Sequence, residues 1–208
     1  MEIQFYGANC VRISNKKASV IIDDNLDSLG LKSVTKDGDV VLRTFGELNE
    51  KKKVKLAINE PGEYEVSAVS IKGIAARAHM DEESAKSVTM YKLDFSDIRV
   101  AVVGHIFADL SEEQLEEIGT TDVLIVPVGN SGYTLDGIGA QKVIKKIDPK
   151  IVIPTHYADK GISYEVPQQE LDDALKSITL ELKERVPKLK LKSSDLPEIA
   201  ELIVLERQ

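Results

Sequence analysis

The sequence predicts a mixed α/β fold of the α+β kind, and three observations carry that expectation. The first half is built of short runs in which apolar and polar residues alternate, the period of half-buried strands. The second half alternates helix patterns with short, continuously apolar runs, as expected of buried strands with helices laid against them. A chain of 208 residues with 42% hydrophobic content can also bury a substantial core, and no linker-like segment divides it. Residues 1–208 are therefore expected to form a single domain.

Residues 3–6 and 10–14 alternate about Gly7, and residues 18–22 form a denser apolar run that ends at Asp23-Asp24. A polar stretch with Gly30 and Asp37-Gly38 leads into an apolar run opened by Asp39 and broken at Gly46. Residues 55–59 read as another short strand, and Pro61-Gly62 is a turn signal before the long alternating segment 64–74. Ser96-Asp97 separates the runs 87–95 and 98–103, which predicts a tight hairpin. Ser111, the acidic pair Glu112-Glu113 and Gly119 supply the cap, first turn and stop of a helix. A buried strand over 122–126 ends at Pro127, a helix capped by Asp136 runs to 147, and a second buried strand covers 150–153. Leu171, Leu175, Ile178 and Leu182 recur at three- and four-residue spacing, which predicts an amphipathic helix over 167–185 with these four in the core. A closing meander is expected from 188–192 and 201–205, with the turn at 195–197.

Composition excludes several function classes. A net charge of -8 disfavours an electrostatic grip on nucleic acid or on an anionic membrane. The lone Cys10 rules out an internal disulfide framework, and its apolar neighbours predict a buried, inert thiol. No apolar run approaches the roughly 18 residues of a membrane helix, and no charged leader precedes an apolar segment. The expectation is a cytoplasmic protein. Its partners would be a small molecule or a protein of unknown identity, with a homo-oligomer left open and with no nucleic acid and no membrane.

The chemistry-bearing residues gather where apolar runs end. Phe45, Glu47, Asn49 and Glu50 follow the run that breaks at Gly46, and His79, His105 and His156 each follow a probable strand. Loops at strand ends converge from distant parts of a layered fold, so these segments are expected to share one edge. Each histidine alone is equally explained as an ordinary hydrogen-bonded side chain. Tyr64, Tyr133 and Tyr157 are expected to line the same cleft, although half-buried packing is the commoner fate of tyrosine. The glycine-rich segment 129–132 lacks the Lys-Ser/Thr of a phosphate loop, and Ser131 lacks the setting of a nucleophile elbow.

The order of these elements, and local strings such as Asp23-Asp24, Pro61-Gly-Glu-Tyr-Glu-Val66, Val126-Pro-Val-Gly129 and Ile151-Val-Ile-Pro-Thr-His-Tyr157, resemble the metallo-β-lactamase fold superfamily, in its small intracellular Zn-dependent-hydrolase-like branch. The resemblance runs nearly end to end. It implies a four-layer αββα sandwich with a metal cleft at one sandwich edge. It also implies a His-x-His-x-Asp-His motif that, with a later His, a bridging Asp and a last His, would hold two zinc ions. Laid on this sequence, the motif falls on Phe45, Glu47, Asn49 and Glu50, the later His near His79, the bridging Asp on His105 and the last His on His156. Phe45 donates nothing and Asn49 is a weak ligand, so a dinuclear centre is not expected and no catalytic residue is assigned. The expected protein is hydrolase-like with a degenerate site, in a binding or assembly role and without cofactor. The alternative is a metal-dependent hydrolase with a single zinc drawn from His79, His105, His156, Glu47 and Glu50. The three histidines are expected to converge, and without a metal Glu47 and Glu50 would favour their protonated forms.

Overall fold

The structure, a computed structural model, describes residues 1–48 and 52–208. Two sheets lie face to face, and alternation along their strands assigns each side chain to a layer. The first sheet contains β1 (Glu2–Gly7), β2 (Cys10–Ser14), β3 (Ser19–Ile22), β4 (Val40–Leu42) and β5 (Leu56–Ile58). The second begins with β6 (Gly62–Val66), β7 (Val69–Ala76), β8 (Val88–Phe95) and β9 (Ile98–Val102). The chain then passes through α1 (Glu112–Ile118), β10 (Val123–Pro127), α2 (Gly137–Ile147), β11 (Ile151–Thr155) and α3 (Leu171–Leu175). It closes with β12 (Leu182–Val186), β13 (Leu189–Lys190) and β14 (Glu201–Leu205). The orders are β13-β1-β2-β3-β4-β5 and β12-β14-β11-β10-β9-β8-β7-β6.

Val20, Ile22, Val40 and Leu42 of the first sheet meet Val123, Ile125, Ile151 and Ile153 of the second in the inter-sheet core. Their chain neighbours face the other way, as a period of two requires. Leu124, Val126 and Val152 pack instead against Ala140, Val143 and Ile144 of α2 and Leu171 and Ala174 of α3. Ile21 and Val41 join the buried Cys10 and Leu26 on the outer face of the first sheet. There the covering layer includes a 3₁₀ turn, Leu26–Leu29, whereas all three α-helices carry side chains that pack on the second sheet.

Local signals set most boundaries. Ser111 and Gln114 form a reciprocal capping box, and the Gly119 N–H closes α1 on the Leu115 carbonyl. Asp136 caps α2 by accepting from the Gly139 N–H at 2.7 Å. The segment 64–74 resolves into a hairpin, with Ser67 and Ala68 both at positive φ between β6 and β7.

Two expectations are corrected. The helix over 167–185 shrinks to α3, and Leu182 is 36% exposed at the start of β12 rather than in the core. The edge of β14 offers a ladder of unpaired backbone groups, and residues 182–186 satisfy it by pairing in parallel, overriding the helical spacing. The closing meander is also absent, because β13 pairs with β1 in the first sheet while β14 lies between β11 and β12 in the second. Among the described residues, no helix is long and apolar enough to cross a membrane.

Candidate functional site

Parallel strands of both sheets end at one edge of the sandwich, and the residues just beyond them build the site. Asp23 follows β3, Arg43 to Phe45 follow β4, His105 follows β9 and His156 follows β11. Two of these positions, Asp23 and His156, hold φ of 51° and 54°, and Ala8, in the turn between β1 and β2 whose carbonyl accepts from the His156 N–H, holds 48°. Such strained backbone in non-glycine residues concentrates where a site over-determines the chain. Two glycines make the approach possible. A Cβ on Gly104, at φ 60°, would stand 2.3 Å from the Thr44 hydroxyl, and one on Gly129 would stand 2.0 Å from the His156 carbonyl.

The cavity at this edge measures about 210 Å³. His105 and His156 form its floor, with ring centroids 5.4 Å apart in an edge-on arrangement. Phe45 tilts over His105 at 5.3 Å and Tyr164 over His156 at 5.2 Å, so each imidazole has an aromatic wall. Tyr133, Arg43 and Gln168 complete much of the lining. Asp23, buried, also lines it, its carboxylate accepting from the Thr44 N–H at 2.7 Å and the Thr44 hydroxyl at 2.5 Å. Arg43 is held by donating to the Asp24 carbonyl at 2.8 Å.

Both imidazoles are tied down at Nδ1. The Asn9 amide nitrogen lies 3.4 Å from Nδ1 of His105, and the Asn9 amide oxygen accepts from the buried Thr155 hydroxyl at 3.0 Å. The Gln168 amide oxygen lies 3.1 Å from Nδ1 of His156, while its amide nitrogen donates to the Val166 carbonyl at 2.9 Å. Burial pushes the His105 imidazolium down to about 4. Burial and then the neighbouring His105 push His156 to about 4. Both are neutral near pH 7. The expectation of protonated imidazoles is therefore corrected for His105 and His156: Glu47 is exposed and borders an adjoining depression rather than this cavity, so desolvation is unopposed by it.

The expected convergence of three histidines is corrected as well. The His79 N–H donates to the His105 carbonyl at 3.0 Å, but the His79 ring packs with Phe107 at 5.9 Å and does not line the cavity. Of the three tyrosines, Tyr133 lines the cavity. Tyr64 stands on β6 beside a separate depression with Glu63 and Lys72, and Tyr157 packs on Phe5 and donates to the Leu205 carbonyl. Asn49 and Glu50 lie outside the described residues. Asn9, Thr155, Arg43, Tyr164 and Gln168 escaped the sequence reading; only the Asp23-Asp24 pair after an apolar run carried a signal for Asp23. Among the described residues, no group of three or more His, Cys, Asp or Glu side chains is placed to hold a metal ion.

A family model described as "Beta-lactamase superfamily domain" matches residues 2–156. Among solved structures, the chain is similar to a candidate Zn-dependent hydrolase of the metallo-beta-lactamase superfamily from Thermotoga maritima, at 26% identity and TM-score 0.79 over 99% of this chain and 98% of the other. It shares its fold with a candidate metal-dependent hydrolase from Parabacteroides distasonis, at 16% identity and TM-score 0.67 over 99% and 93% of the two chains. A metallo hydrolase from Ignicoccus hospitalis has the same fold, at 16% identity and TM-score 0.64 over 99% and 94%. No curated protein matches the sequence.

Proposed function

Because the chain belongs to the beta-lactamase superfamily, we propose that it is a hydrolase-like member whose dinuclear metal centre is lost and whose cleft serves binding or assembly rather than catalysis. The observation that carries this reading is the state of the donors at the cleft. Phe45, at the position the resemblance gives to the first metal-binding histidine, supplies a ring packed on His105 instead of a ligand. The nearest buried carboxylate, Asp23, already accepts two hydrogen bonds from Thr44. His105, at the position of the bridging carboxylate, brings no negative charge to offset two adjacent dications. The residues present therefore do not fit a two-zinc group. On this reading residues 1–208 act as one cytoplasmic domain.

A second reading, a hydrolase with a single zinc, draws support from the neutral His105–His156 pair, since neutral imidazole is the form that ligates. Elemental analysis of protein purified without a histidine tag separates the two. The proposal expects substoichiometric zinc, a melting temperature unmoved by EDTA or zinc, and no phosphodiesterase, lactonase or β-lactamase turnover with added zinc or manganese. One equivalent of zinc, a chelation-induced drop in melting temperature, or turnover abolished by His156→Ala would establish the single-metal hydrolase instead.

A further inference from the structure

We infer that the cavity recognises an uncharged planar heterocycle carrying an N–H beside a carbonyl, read by two imidazoles locked in opposite tautomers. The inference rests on the non-catalytic reading of the same cleft. The lock on His156 follows from Gln168. Its amide nitrogen is committed to the Val166 carbonyl, so its oxygen faces the ring and His156 must donate from Nδ1. Nε2 of His156 is then a bare acceptor.

The lock on His105 has the opposite sense. Thr155 is almost fully buried, and the Asn9 oxygen is the one acceptor its hydroxyl has among the described residues. Reversing the Asn9 amide would leave that buried hydroxyl proton without a partner, which is unfavourable. The Asn9 nitrogen therefore faces His105, whose Nδ1 accepts and whose proton sits on Nε2. Among the described residues, neither Nε2 has a hydrogen-bond partner, and both rings line the cavity. One donor and one acceptor thus belong to rings whose centroids lie 5.4 Å apart and which line the same cavity.

The surroundings select the rest of the ligand. Phe45, Tyr133 and Tyr164 offer flat apolar faces, with Phe45 half exposed at the mouth, which favours a planar ring. Asp23 and Glu165 against Arg43 leave the lining without an excess of positive charge, which disfavours an anion. A volume near 210 Å³ suits one or two fused rings.

The test begins with the tautomers. Long-range ¹H–¹⁵N spectra should show the Nε2–H form for His105 and the Nδ1–H form for His156. Calorimetry with 2-pyridone should show binding, and N-methyl-2-pyridone, which keeps the carbonyl but lacks the donor, should bind at least about tenfold more weakly. Asn9→Asp keeps the shape and the Thr155 bond but accepts from Nδ1 of His105. It should shift that ring to the Nδ1–H form and weaken 2-pyridone and N-methyl-2-pyridone alike, because the shared carbonyl loses its donor while the pyridone N–H still meets Nε2 of His156. Both rings in one tautomer, equal binding of the two compounds, or no binding of 2-pyridone at millimolar concentration would overturn the inference. Metal-dependent turnover with the two tautomers and the pyridone preference intact would instead overturn the non-catalytic reading alone.

Discussion

The site is governed by what individual side chains are denied. His105, partly buried, and His156, buried, are largely denied water, and their depressed protonation makes stability pH-dependent in a definite direction. Their folded values near 4 lie below the ordinary 6.5, so between these limits the unfolded chain binds more protons. Their contribution is complete above about pH 6.5 and is lost as pH falls toward 4, with a slope approaching about 1.4 kcal/mol per pH unit for each ring. Asp23, raised chiefly by burial, acts in the opposite sense, but it is one group against two. Urea titrations from pH 7.5 to 4.5 should show the fall, and His105→Gln should flatten it; a pH-independent midpoint would contradict the burial of these rings. Gly104 is denied a side chain. Gly104→Ala meets both the positive φ and the Thr44 hydroxyl, so it should cost about 2 kcal/mol or more by chemical denaturation.

At the scale of elements, caps and open edges outrank spacing. The Ser111–Gln114 box fixes where α1 begins, and the Gln114 amide also donates to the Ala75 carbonyl at 2.8 Å, tying α1 to β7. Ser111→Ala should destabilise by about 1 kcal/mol, measured as a shift in urea midpoint. Gln114→Ala should cost more, because it removes the box and the tie to the sheet together. This start was legible in the sequence because a cap is a local, stereotyped arrangement. The end of α3 was not. Leu171 and Ile178 are buried as their spacing suggests, yet residues 182–186 answer to β14, a partner the local sequence does not contain.

At the scale of the whole molecule, the two sheets are clamped by polar contacts as well as by their apolar core. The hydroxyl of Tyr91, a buried residue of the second sheet, reaches the Arg43 carbonyl at 3.0 Å and the Ile58 carbonyl at 3.2 Å, at the ends of β4 and β5 in the first. Tyr91→Phe keeps the ring but strips buried carbonyls of a partner, and should cost about 1–3 kcal/mol while leaving the fold's circular dichroism intact. An unchanged midpoint would show that this bridge is dispensable. The sequence by itself determined the mixed α/β class, the strand-rich first half, the capped α1 and α2 and the exits of His105 and His156 from their strands. Each of these is written in a period, a cap or a breaker within a few residues. Only the tertiary structure decided that His79 turns to Phe107, that Glu47 lies beside the cavity rather than in it, and that Asn9, Thr155, Gln168 and Tyr164 hold the histidine pair. Those are contacts between segments far apart in the chain, and which of them form is set by how two twisted sheets and their loops share one edge, a geometry that no local pattern encodes.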